Sequence, residues 1–220
     1  MVEAPVFRRR DRPRVAPALL AVLAGLVVAE ALLVGTYVAT TSARITDPVV
    51  FVYPFVWIDA SVLAVLAFDG PSGTRRQKAV AGVLGVGYFI VLAYFGGLVG
   101  PGSGGVPLHV NWGLPPGYGP AILANGDTLM LVVEPYKVVG YLALTYFVYA
   151  TVLDAVAGAL SGLLGLFSCV SCTWPILGTV ATSIFGSGSA VAAFALSQSY
   201  GLGTLVFLTA LGLLYYRPLF

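Results

Sequence analysis

Four ionisable side chains fall inside stretches that are otherwise apolar: Glu30, Asp59, Glu134 and Lys137. Hydrocarbon disfavours each of them strongly. Where such residues occur in membrane segments they face a protein interior or a polar path, so the four mark a candidate site for an ion, a proton or a polar substrate. Glu134 and Lys137 are three residues apart, which places them on one face of a helix and lets them pair. Pro135 between them removes a helical hydrogen bond or marks a bend. Full ionisation of three carboxyls and one ammonium would leave about −2 in one layer, so either a carboxyl keeps its proton or a cation completes the site. The competing reading is a buried ion pair plus neutral carboxyls bonded to tyrosines, available at Tyr37, Tyr53, Tyr88, Tyr94, Tyr136 and Tyr141.

Cys169 and Cys172 form a second candidate, followed by Thr173-Trp174-Pro175. Thiols at this spacing share a helical face and could hold a soft metal ion or, after modest adjustment, oxidise to a disulfide. Pro175 leaves the carbonyl of Ser171 without its usual helical donor, and a broken membrane helix of that kind suits cargo binding. The same cysteines also continue a stripe of small residues, Gly158, Gly162, Gly165, Cys169 and Cys172, which would let two membrane helices approach closely. Both explanations stand at this level.

The third candidate is a lid. Residues 100–127 hold eight glycines, five prolines and the only histidine, His109, near Trp112 and Tyr118. That composition argues against a long helix or a regular strand. The expectation is an irregular external loop, either a cap whose aromatics lie at the membrane interface or a lid over a site with His109 and Trp112 as its residues. A single histidine is a poor zinc or haem ligand by itself.

The elements that must position these residues follow from composition. With 59% hydrophobic residues, 9% charged residues and a mean hydropathy of +0.95, the chain has too little polar surface for a water-soluble globule. Six stretches approach the roughly 20 apolar residues needed to cross a bilayer: about 16–39, 49–68, 79–99, 128–150, 157–184 and 189–216. Trp174-Pro175 could break the fifth, and the polar run 197–201 could split the sixth. The expected fold is therefore an all-α six-helix transmembrane bundle, preceded by a basic segment over residues 1–15. Counting about 1.5 Å per residue, the four ionisable groups would lie about 9–15 Å below the outer surface.

Basic residues set the expected orientation. Arg8, Arg9, Arg10, Arg12 and Arg14 precede the first span, Arg75, Arg76 and Lys78 lie between the second and third, and Arg217 follows the sixth. With these on the cytoplasmic side, both termini are inside and only Arg44 is left among outer basic loop residues. The first apolar run is too long for a cleaved signal peptide and contains Glu30, so it is expected to stay as an anchor in the cell membrane. The basic residues cluster by position rather than over a face, and no nucleic-acid partner is implied.

From Ser168 to Tyr216 the pattern is a cysteine pair, a proline, the turn Gly186-Ser187-Gly188-Ser189 and a second helix ending at Leu213-Leu214-Tyr215-Tyr216-Arg217. It resembles the helical hairpin of mercuric-ion transport proteins, which implies passage of a soft metal. It departs from them in having two residues between Cys169 and Cys172 and in lacking a second cysteine pair. Likeness to membrane thiol-disulfide carriers is limited in the same way, since those use cysteines in two helices. Nine arginines against two lysines in an Ala/Val/Gly-rich chain is similar to uncharacterised polytopic membrane proteins of halophilic archaea.

Three functional classes remain: translocation of a small cation, proton or soft metal; a non-catalytic membrane subunit or assembly partner; and a thiol-disulfide carrier. No nucleotide-binding loop, metalloprotease motif or serine-hydrolase elbow is present, so conventional enzymatic activity and an organic cofactor are not expected.

Overall fold

A computed structural model describes residues 15–41, 48–68, 70, 72–157 and 199–215. Within them the chain forms α1 (Val15–Thr41), α2 (Pro48–Ala67), α3 (Arg75–Phe95), β1 (Val99–Pro101), β2 (Val106–Asn111), β3 (Ala121–Asn125), β4 (Leu129–Val133), α4 (Pro135–Ala157) and α5 (Ser199–Tyr215). The all-α six-helix bundle is thus overturned: the described residues make five helices and a four-stranded antiparallel sheet in the order β1-β4-β3-β2. The expected fifth span, with Cys169, Cys172 and the Trp174-Pro175 break, lies outside the described residues.

Three helices are long and apolar enough to cross a membrane, over Pro17–Thr41, Arg75–Phe95 and Pro135–Leu153; Phe51–Ala67 and Gly203–Tyr215 are shorter apolar helices. α3 opens with a capping box. The Thr74 hydroxyl accepts from the Gln77 amide at 3.4 Å, and the Gln77 side chain accepts from the Thr74 amide at 2.9 Å. Two otherwise orphaned amides are thereby satisfied just where Arg75, Arg76 and Lys78 begin the helix.

The sheet forms where an irregular loop was expected, because the helix and strand breakers sit where a sheet tolerates them. Gly104 and Gly105 take positive φ in the β1–β2 connection, and Gly126-Asp127 turns β3 into β4. Pro101 and Pro107 fall on β1 and β2, the two edge strands, where a missing amide costs no central ladder bond. Asn125 ties the β1–β2 connection to the hairpin: it accepts from the Ser103 amide at 2.9 Å and donates to the Ser103 hydroxyl at 3.0 Å.

The expected fourth span also divides. Leu129–Val133 is strand, and the helix starts at Pro135. Proline restricts the residue before it to extended backbone and is itself suited to the first helical turn, so Pro135 converts strand to helix here rather than bending a helix.

The helices pack in one register. Trp57 meets Tyr136 and Phe207, while Phe68 meets Phe147 and Tyr215, so α2, α4 and α5 run parallel, away from the sheet. Gly85 faces Thr145 and Gly96 faces Tyr141, which makes α3 antiparallel to α4. Tyr37 packs on Phe51, and Glu30 meets Asp59, which makes α1 antiparallel to α2. Thr41, Pro48, Phe95 and Pro135 therefore all lie toward the sheet, and Arg75, Arg76 and Lys78 at the opposite end.

Candidate functional site

α2 separates two different environments. Pro54, Trp57, Ser61, Ala64 and Phe68 recur at helical spacing on one face: Trp57, Ala64 and Phe68 pack on the core that α4 and α5 build, Ser61 is buried, and Pro54 meets Gly117. Trp57 is the centre of that face. Its ring stacks on Phe207 with centroids 3.9 Å apart and meets Tyr136 edge-on at 5.5 Å, while its Nε1 donates to Thr204 Oγ1 at 3.0 Å. Gly140 makes the approach feasible, since a Cβ there would lie 2.5 Å from the Trp57 ring. The aromatic stack continues upward, with Tyr118 5.0 Å from Tyr136.

Asp59 follows Trp57 by two residues, about 200° around the helix axis, and so lies opposite that packed face. It meets α1 instead. The Glu30 and Asp59 carboxyls come within hydrogen-bonding reach of one another. One oxygen of each, Glu30 Oε1 and Asp59 Oδ1, is shut in without a hydrogen-bond partner. Each residue is eleven positions from the sheet end of its helix, which is about 16 Å of rise. The pair thus sits near the middle of two apolar helices. A hydrogen bond between two carboxyls requires a proton on one of them, because an ionised carboxylate only accepts.

Glu134 and Lys137 also meet, at 2.5 Å, with side chains 16% and 24% exposed. The expected span began at residue 128 and held both within it, whereas they stand at the start of α4. The Glu134 carbonyl accepts from the Val138 amide at 3.2 Å, which makes Glu134 the residue that opens α4, and Lys137 follows within the first turn, about 4.5 Å further in. A cation at a helix N-terminus opposes the helix dipole, and Glu134 offsets it. Lys137 Nζ also lies 5.9 Å from the Tyr136 ring centroid. The four sequence candidates thus come together as two pairs, on opposite sides of α2.

The lid candidates divide as well. His109 is exposed on β2, with its Nδ1 3.0 Å from the Pro107 carbonyl, and Trp112 is 75% exposed. The segment that enters the helices is the one after them. The Gly117 carbonyl accepts from the Tyr136 amide at 3.2 Å, and Tyr118 is buried against the Tyr136 ring. Gly117, at φ +91°, rests on Pro54 with no room for a side chain. Sequence reasoning missed Trp57, Gly140 and Thr204. The signal for Trp57 was present as the apolar stripe on α2, which charged residues overshadowed, whereas Gly140 and Thr204 carry no local signal because their roles depend on how α4 and α5 pack on α2. Cys169 and Cys172 lie outside the described residues, among which no group of three or more His, Cys, Asp or Glu side chains could hold a metal ion.

These features define a helical protein with membrane-crossing lengths of apolar helix, a sheet at one end, and a carboxyl pair at mid-helix. The chain belongs to a family of unknown function, DUF7546, whose model matches residues 3–220. No curated protein and no solved structure matches it.

Proposed function

We propose that this is an integral membrane protein that takes up a proton or a small cation at the Glu30–Asp59 pair as a step in moving it across the bilayer. The observation that carries the reading is the meeting of two carboxyls at mid-helix, each with an enclosed oxygen lacking a partner. Two adjacent carboxylates in a low-dielectric layer repel, and a proton or metal cation between them relieves both that repulsion and the lost hydration. Glu134 and Lys137 neutralise one another at the end of α4 and serve the fold.

The orientation that goes with this reading places the end bearing Arg75, Arg76 and Lys78 in the cytoplasm and the sheet outside the cell membrane. A likeness to mercuric-ion carriers would extend the cargo to a soft metal through Cys169 and Cys172, but the carboxyl pair supports the reading without them. The test is flux. Purified protein in liposomes containing a pH-sensitive or sodium-sensitive dye should carry one of these ions, and Glu30→Gln or Asp59→Asn should abolish the flux while Glu134→Gln keeps it. Flux that survives both substitutions, or none from the unaltered protein, contradicts the reading.

A second reading, a membrane subunit within a larger assembly, draws on α1. Among the described residues nothing buries its most apolar stretch, and Leu20, Val28, Leu32 and Leu33 are all exposed. Co-purification of a further chain that depends on those residues would favour it.

A further inference from the structure

The sheet exposes the wrong face for water. In an antiparallel sheet, directly paired residues share a face and neighbours along a strand alternate. Val110 pairs with Ile122, Ile122 with Val133, and Leu131 with both Ala124 and Val99. Trp112, two residues beyond Val110, continues this face just past the strand. Every one of these residues is apolar, and Val110, Ile122 and Trp112 are exposed, Trp112 by 75%. The amides and the imidazole of the sheet, at Asn111, Asn125 and His109, lie on the other face, since Asn111 pairs with Ala121 and His109 with Leu123. A half-solvated sheet ordinarily buries its apolar face and turns its polar face to water. Here the apolar face is open along its β2 side, at Val110, Trp112 and Ile122, while Val99, at its other side, packs against the helical core.

Its position says what covers it. The Tyr37 hydroxyl donates to the Gly113 carbonyl at 3.0 Å, fastening the backbone next to Trp112 to the last turn of α1. The span Pro17–Thr41 is 25 residues long, so its length of about 37 Å exceeds the roughly 30 Å hydrocarbon core and places Tyr37 near the boundary between acyl chains and headgroups. Trp112 is held at that level. The open side of the sheet is therefore fastened next to the end of α1, a helix that itself exposes Leu32 and Leu33. Tryptophan favours this boundary, and a contiguous exposed apolar surface marks a membrane or protein contact.

We infer that the Val110–Trp112–Ile122 face of the sheet is a lipid-binding surface that lies in the headgroup and upper acyl region of the bilayer beside α1. The sheet is then a membrane-seated cap, held on one flank by Tyr118 among the helices and on the other by lipid. Such a surface requires neither the carboxyl pair nor any transport.

The test is spin-label accessibility in phosphatidylcholine vesicles, using the full chain with Cys169→Ser and Cys172→Ser as background. Labels are placed through Val110→Cys, Trp112→Cys and Ile122→Cys on one face and His109→Cys and Asn111→Cys on the other. Relaxation by oxygen, which partitions into lipid, should exceed relaxation by a water-soluble nickel chelate at the first three sites and fall below it at His109. Dominance of the nickel chelate at the first three sites places the face in water and overturns the inference. Protection from both reagents places it under protein, a second copy included, and overturns it equally. Native fluorescence gives a check that needs no label: lipids brominated near the headgroup should quench the unaltered protein more than Trp112→Phe, and equal quenching contradicts the proposal.

Discussion

The two sides of α2 differ in what holds them. Toward α4 and α5, the helix presents Trp57, Ser61 and Phe68 to a dense aromatic interior that includes the fully buried Phe147. Toward α1, it presents Asp59 to Glu30, and the apolar stretch of that helix has no buried residue among the described ones. Lipid chains are as apolar as leucine, so helices in a membrane associate through close packing and polar contacts. The packed side draws on the first of these and the α1 side on the second. A polar contact made of two acids contributes little unless something cationic joins it, which is how a site differs from a seam.

Substitutions can break that contrast in graded steps. The largest effect is expected for Trp57→Ala, which removes the ring stacked on Phe207 and the bond to Thr204 and should cost about 3–5 kcal/mol, read as a large drop in Tm in detergent. Gly140→Leu should follow. Its side chain would be forced against the Trp57 ring, at a cost of about 1–3 kcal/mol that Gly140→Ala shares in part. Tyr37→Phe deletes the bond to Gly113 and should cost about 1 kcal/mol, with faster proteolysis of the segment around Trp112 as the more sensitive readout. Glu134→Gln should cost about 0.5–1 kcal/mol, because the pair with Lys137 is partly exposed at a helix end. Glu30→Gln and Asp59→Asn should leave Tm unchanged or slightly raised, since an amide can keep the contact with the remaining carboxyl without a shared proton. A drop in Tm for these two comparable to that of Trp57→Ala would erase the distinction between site and seam.

The helices were legible in the sequence to the extent that length and hydropathy decide them. α1, α2 and α3 begin and end within a few residues of the expected limits, although α3 starts at Arg75, ahead of its apolar run, because Thr74 and Gln77 cap it there. The sheet was not legible. Val106–Asn111, Ala121–Asn125 and Leu129–Val133 are short, and each is bounded by the glycines and prolines that suggested irregular chain. The apolar β4 strand joined the following helix into a single run of membrane-like composition, and only the constraint that Pro135 puts on Glu134 separates the two.

The candidate residues were legible by type and not by partner. Glu134 with Lys137 followed from spacing alone, which is local. Glu30 with Asp59 depends on the register between α1 and α2, and Asp59 facing away from Trp57 depends on which side of α2 is packed. Neither is a property of a single segment, so three acids that share an apolar context divide between two places.

The central claim is that Glu30 and Asp59 hold one proton or cation between them in the middle of the helices. Infrared spectroscopy of the membrane-reconstituted protein at neutral pH in cation-poor buffer tests it most directly, through the carbonyl stretch of a protonated carboxyl. Such a band is expected in the unaltered protein, shifted or lost in both Glu30→Gln and Asp59→Asn, and kept in Glu134→Gln. A spectrum without the band, or a band indifferent to both substitutions, would contradict it.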